Sequence, residues 1–300
     1  MTTLTETTHA GGHILSEPDG LRGRVNGTLI LGQNRVAGAV LGQITKALAA
    51  APVPTIVGTG TGAMTALTFG PDIQVGAYVI TLLATSATAA FSVVAPDGTA
   101  LPNGVVGTAY VSTHISFLVS SAGTMTIADA YTLTVTAGGT PVLVGTGTGV
   151  VSGVSLGPDA QNGAYRVQLL ATSATGEFEV IAPLGRKLRR GQVATAYTSS
   201  HVNFTLANGG TMTIGDVFYI IVAKGSLKWT VLAPTTYNGS HVAAGVLYAA
   251  VNATDADQQC VLTTNNTSLN INELIWPATI GTAGRATAYA QLAERFVTAR

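Results

Sequence analysis

The feature that most constrains this chain is a repeat at one fixed offset. Val57-Gly58-Thr59-Gly60-Thr61-Gly62 recurs as Val144 to Gly149, Leu82 to Thr88 as Leu169 to Thr175, and Gly123 to Ile127 as Gly210 to Ile214. Every offset is 87, and residues 57–139 align on 144–226 with 42 identities in 83 positions and no gap. A period of this length means a tandem duplication in which each copy must be a folding unit or part of one.

Each copy reads as β. Tyr78 to Leu83, Phe91 to Val94, His114 to Val119 and Tyr131 to Val135 are short runs rich in β-forming residues. Their partners are Tyr165 to Leu170, Phe178 to Ile181, His201 to Leu206 and Phe218 to Val222. Gly-Pro-Asp at 70–72 and 157–159, Pro96-Asp97-Gly98 and Asn208-Gly209-Gly210 supply turns. Short strands with frequent turns predict a small sandwich or barrel per copy. Residues 1–46 and 227–300 lie outside the repeats and make one small domain split by the pair. The Ala/Pro-rich stretch Ala47 to Pro54 and the stretch Lys224 to Lys228 read as linkers. A two-module insertion in a surface loop is tolerable because loop-closure entropy grows only logarithmically with length.

Composition narrows the function. Only 9% of residues are charged, with 14 basic against 14 acidic, so there is no excess of cations to neutralise phosphates. No uncharged apolar run reaches the roughly 18 residues that span a bilayer. Met1 to Thr8 is threonine-rich and lacks the regions of a signal peptide. The one cysteine, Cys260, can form no internal disulfide.

Chemical sites are sparse. Gly153-Val154-Ser155-Leu156-Gly157 matches the nucleophile-elbow pattern, but its surroundings are strand-like and predict a strand ending at a turn. The Gly-Thr-Gly-Thr-Gly runs lack a following Lys-Ser/Thr and are not nucleotide loops. His9 and His13 are separated by a glycine pair that no metal-presenting helix would carry, and His114 and His201 read as packed or hydrogen-bonded. No catalytic residue, cofactor or metal site is expected. The copies differ in charge: Arg186-Lys187-Leu188-Arg189-Arg190 replaces Thr99-Ala100-Leu101-Pro102-Asn103. Arg186, Lys187, Arg189 and Arg190 could contact an anionic surface, either a neighbouring acidic module or a host surface glycan. The plainer reading is a solvated turn.

The ends carry a family pattern. Tyr237-Asn238-Gly239-Ser240-His241-Val242-Ala243-Ala244-Gly245-Val246-Leu247-Tyr248 continues through Val251-Asn252-Ala253-Thr254-Asp255 to Glu273-Leu274-Ile275-Trp276-Pro277. At the start stand Thr8-His9-Ala10-Gly11-Gly12-His13-Ile14-Leu15-Ser16-Glu17 and Leu41 to Thr45. Over about 110 residues this resembles the lambda-type head decoration proteins of tailed phages. The paired insert is similar to modules found within some of them.

The resemblance implies a mainly β chain with minor α. Its split small α/β decoration domain would comprise 25–46 and 227–300 and carry β-sandwich-like repeats at 57–139 and 144–226. It also implies a non-enzymatic structural protein, made in the bacterial host cytoplasm and placed on the outer capsid surface. There a homotrimer would bind the major capsid protein at local three-fold sites of the expanded head and stabilise it, with the repeats outward. Gly245, Leu247, Trp276 and Pro277 would serve as motif core or interface.

Residues 1–24 show no sustained period and read as an extended arm, in which Thr8 to Leu15 would order on the capsid by adding a strand to a partner sheet. Near the end, Thr282 is an expected N-cap, and Tyr289, Leu292, Ala293 and Phe296 fall on one helix face. Two other classes stay open. A surface- or carbohydrate-binding adhesin, with the split domain as its anchor on a virion or cell surface, would use exposed aromatics on the repeats, with Tyr78/Tyr165 and Tyr110/Tyr197 as candidates; an enzyme would rest on Ser155 alone.

Overall fold

The computed structural model describes residues 8–18, 22–50, 54–138 and 141–300. Strands dominate it, and the described residues form one α-helix, Thr282–Ala293. The chain divides into two compact units, Met1–Thr45 with Ser226–Arg300, and Lys46–Gly225.

The split unit is built on a closed five-stranded barrel of Arg24–Leu29, Trp229–Val231, Val40–Gln43, Gly245–Leu247 and Gln258–Thr263. Closure removes the open sheet edges that so short a set of strands would otherwise leave. Leu29, Leu41, Trp229, Leu247 and Leu262 fill one core. Gly27 is required there, because a Cβ would sit 2.5 Å from Trp229 Nε1. A second core of Val40, Val246, Leu269, Leu274, Leu292 and Val297 lies under the helix. Gly281, not Thr282, occupies the N-cap, and Thr282 is the first helical residue. The helix ends at Ala293, and Phe296 beyond it takes a left-handed φ of 58° and is 73% exposed. The expected apolar face therefore stops at Leu292: the backbone reverses before the next turn, and Phe296 leaves the core.

In Lys46–Gly225 each copy folds as two facing layers. In the first, Pro54–Val57 and Gly76–Leu82 flank Ala130–Ala137, with Ala90–Val94 and Ala100–Val105 beyond. Met64–Phe69 and Ile115–Val119 form the second layer. In the other copy, Val142–Val144 and Gly163–Leu169 flank Val217–Lys224, opposite Val150–Leu156 and Val202–Ala207. Alternate residues point inward, as the period of two requires. Phe91, Tyr110 and Phe117 cluster with centroids 4.8 to 5.8 Å apart, and Phe178, Tyr197 and Phe204 repeat the cluster at 4.9 to 5.8 Å.

The linker expectation for 47–54 needs correction. Lys46–Ala50 is a strand between the copies, paired antiparallel with Val217–Lys224 through Ala49↔Ile221 to Lys46↔Lys224. On its other side Ala49 and Ala50 pair with Ala137 and Thr136. Residues 51–53 lie outside the described residues. Lys224 likewise is strand rather than linker, and its Nζ lies 3.1 Å from Asp72 Oδ1 of the first copy. Ile221 and Ala223 pack into the first copy's core and Leu48 into the second's. The local sequence is weakly β-forming, but pairing on both sides overrides propensity.

Candidate functional surfaces

Of the N-terminal segment, the described residues 8–18 make contacts within the split unit. Gly11 N–H donates to Tyr248 O at 2.9 Å, and Ile14–Ser16 pairs with Thr267–Leu269. His13 is 2% exposed; its carbonyl accepts from Asn270 N–H at 2.8 Å, and its Nε2 lies 3.4 Å from Thr263 Oγ1. Burial, with Arg24 nearby, lowers the His13 pKa to about 4 against the opposing influence of Glu17. Arg24 pairs with Glu17 and lies 3.9 Å over the Tyr248 ring. Thr8, His9 and Ala10 are exposed, Gly11, Gly12 and Ile14 half-buried, and Leu15 is 54% exposed. Among the described residues Ile14–Ser16 is an edge strand, paired only with Thr267–Leu269.

The C-terminal motif residues occupy the barrel and the helix packing. Gly245 and Leu247 lie in a barrel strand, where a Cβ on Gly245 would meet Thr264 at 2.9 Å. Trp276 is half-buried, edge-on to Tyr289 at 5.3 Å, with Arg285 5.8 Å from its ring centre. Ile275 bridges Ala39 just before Pro277, which cannot donate a further ladder bond.

The Gly-Thr-Gly-Thr-Gly runs wrap a carboxylate of this chain. Asp129 is 4% exposed and accepts from Thr59 N–H (3.0 Å), Gly60 N–H (2.8 Å) and Thr126 N–H (3.2 Å). Asp216 accepts from Thr146 and Gly147 N–H (both 3.1 Å) and Thr213 N–H (3.2 Å). A Cβ on Gly58 or Gly145 would collide with these carboxylates. The runs thus satisfy a buried acid with backbone donors, the same chemistry by which such loops hold phosphate. Sequence reading missed both acids. Their signal was equivalent placement, two residues after an identical Gly-Thr-Met-Thr-Ile.

At the other end of each copy, Tyr78 Oη accepts from Gln74 N–H (2.9 Å) and lies 3.1 Å from His114 Nδ1. Tyr165, Gln161 and His201 repeat this at 2.7 and 3.1 Å. Burial lowers the pKa of both histidines, against the pull of Asp72 and Asp159 respectively. Tyr78, Tyr110, Tyr165 and Tyr197 are all buried, so none is an exposed aromatic for an adhesin. Ser155 lies in Val150–Leu156 with Asn203 Nδ2 at 3.5 Å, in a strand rather than at a strand-to-helix turn.

The basic loop is internally engaged. Lys187 pairs with Glu179 and Arg190 with Glu177, each at 3.0 Å. Arg189 donates to Thr198 O at 2.7 Å and lies 4.9 Å over Tyr197. Arg186 is exposed. Glu179 and Glu177 thus offset two of the four cations.

The family model for the bacteriophage lambda head decoration protein D matches residues 3–297, both units included. The chain belongs to that family. No curated protein matches it. Membership gives the decoration protein a place on the virion capsid and a structural role. The match also runs across the β copies, which the resemblance of the ends left outside.

Proposed function

We propose that this decoration protein binds the outer surface of the expanded head as a trimer at local three-fold sites and stabilises the shell, leaving residues 46–225 on the outside of the particle. Family membership carries the reading. Stabilisation follows by mass action: a ligand that binds only the mature shell draws the shell away from disassembly. The edge position of Ile14–Ser16 among the described strands favours Thr8 to Leu15 as the capsid contact, since an edge strand can accept a strand from a capsid subunit. Leu15, Ile271, Ile275 and Phe296 are apolar and 40 to 73% exposed in the split unit, which favours burial against other chains.

Co-sedimentation of the full chain with decoration-free heads tests the reading. Saturable binding to expanded heads, absent with unexpanded ones, and a higher disruption temperature of loaded heads are expected. Equal binding to both head forms, or no change in disruption, would refute stabilisation of the mature shell.

A further inference from the structure

The two copies record which surfaces each has kept. Their three longest unbroken identities are 57–62, 82–88 and 123–127 with their partners, and all three meet at one end of each module. Val57 and Thr81 both pair with Ala130, Thr61 Oγ1 is 3.1 Å from Thr124 Oγ1, and Ile127 N–H donates to Thr85 Oγ1 at 2.9 Å. The Asp129 and Asp216 cradles account for the glycines there. They do not account for the apolar side chains left in water: Val57 67%, Leu83 46% and Ile127 58% exposed, with Val144 55% and Ile214 61% in the second copy. Elsewhere the exposed identities are short, as at Pro71/Pro158, Gly98/Gly185 and Thr108-Ala109/Thr195-Ala196, and the basic loop has diverged.

Orientation adds a second observation. Ala130–Ala137 and Val217–Lys224 are both antiparallel to Lys46–Ala50, and therefore parallel to each other. Each begins at its module's identical end, so both ends face the same way. Ala49 pairs with both Ala137 and Ile221, which staggers the two ends by three residues, about 10 Å. Strands two sheet spacings apart, about 10 Å, carry them. The shared strand and shared core residues hold that arrangement fixed.

We propose that this end of each module binds a neutral saccharide, and that residues 46–225 form a fixed bivalent receptor for a repeating polysaccharide. The three runs contain no charged side chain, so nothing in them selects an anion or a cation. They carry threonine and serine hydroxyls, among them Thr85, which accepts from Ile127 N–H, and the Ser86–Thr88 pair at 3.2 Å, at the same end as the exposed aliphatic side chains of Ile127 and Leu83. That combination matches the hydroxyls and C–H faces of a sugar ring. Two equivalent sites at a fixed spacing call for a ligand that itself repeats. This goes beyond the decoration role and does not depend on it.

The test measures binding of the full chain to immobilised dextran, mannan, galactan and starch. At least one should bind. Ile127→Asp and Ile214→Asp should each weaken that binding by about 100-fold through lost bivalency, and the double variant should abolish it. A single repeat unit of the sugar should bind the intact chain and either single variant with equal, weak affinity. Ile127→Ser and Ile214→Ser, milder changes at the same exposed positions, should act in the same direction. Head co-sedimentation of the double variant should match the unaltered chain, which separates this test from that of decoration. Absence of binding to every polysaccharide, or full binding by the double variant, would overturn the proposal. So would variant-sensitive binding to bacterial envelopes that survives periodate oxidation of their glycans, because the partner would then be a protein.

Discussion

Replacing Asp216 by asparagine probes the Gly-Thr-Gly-Thr-Gly loops with almost no change of shape. One carboxylate oxygen accepts from Thr146 N–H and the other from Gly147 and Thr213 N–H. In the better amide orientation the carbonyl keeps the two-donor side, and the NH2 faces Thr146 N–H. One hydrogen bond becomes a donor–donor contact, and the remaining two lose the assistance of the charge. With a charge-assisted bond worth about 1.5–3 kcal/mol, the expected loss is about 3 kcal/mol. For a unit of this size that lowers Tm by roughly 6–12 °C. Differential scanning calorimetry of the full chain reads it directly, and Asp129→Asn should behave alike in the first copy. Gly145→Ala should be comparably damaging, because its Cβ would collide with the carboxylate. A Tm within about 1 °C of the unaltered chain for Asp216→Asn would refute the view that the acid organises these loops.

Three further outcomes are expected. Ala49→Pro places a ring in a strand paired on both sides; it should destabilise both modules together, seen as faster hydrogen exchange in Ala130–Ala137 and Val217–Lys224 alike. His13 is held neutral, so its contribution is complete above its unfolded pKa near 6.5 and is lost as pH falls from there to about 4. The full shift corresponds to about 3 kcal/mol, and His13→Gln should flatten the stability of the split unit across that window in urea titrations. Gly27→Val should cost roughly 2–4 kcal/mol in the barrel by driving into Trp229 and Leu262, measured by chemical denaturation.

Much of the β architecture was legible because its causes are local. Runs such as Tyr78 to Leu83 carry β-formers between turn residues, and their repetition at an offset of 87 marks one pattern used twice. What escaped depends on distant partners. Lys46–Ala50 has the composition of a linker and becomes a strand only because Ile221 and Ala137 flank it. The Asp129 carboxylate meets Thr59 and Gly60 across some 70 residues, a closure no local pattern announces. The helical period runs on to Phe296, but backbone reversal ends it sooner. The N-terminal segment has no period of its own, and its place comes from pairing with Thr267–Leu269. The basic loop stood out by charge, while Glu177 and Glu179, which offset it, lie 8 to 13 residues away.

The most direct measurement of the central claim is a cryo-electron microscopy reconstruction of expanded, decoration-free heads incubated with the full chain. Added density is expected at the local three-fold positions, three copies at each, with the split unit against the shell and the paired β modules outermost. Heads that stay bare at saturating protein, or density elsewhere on the particle, would contradict it.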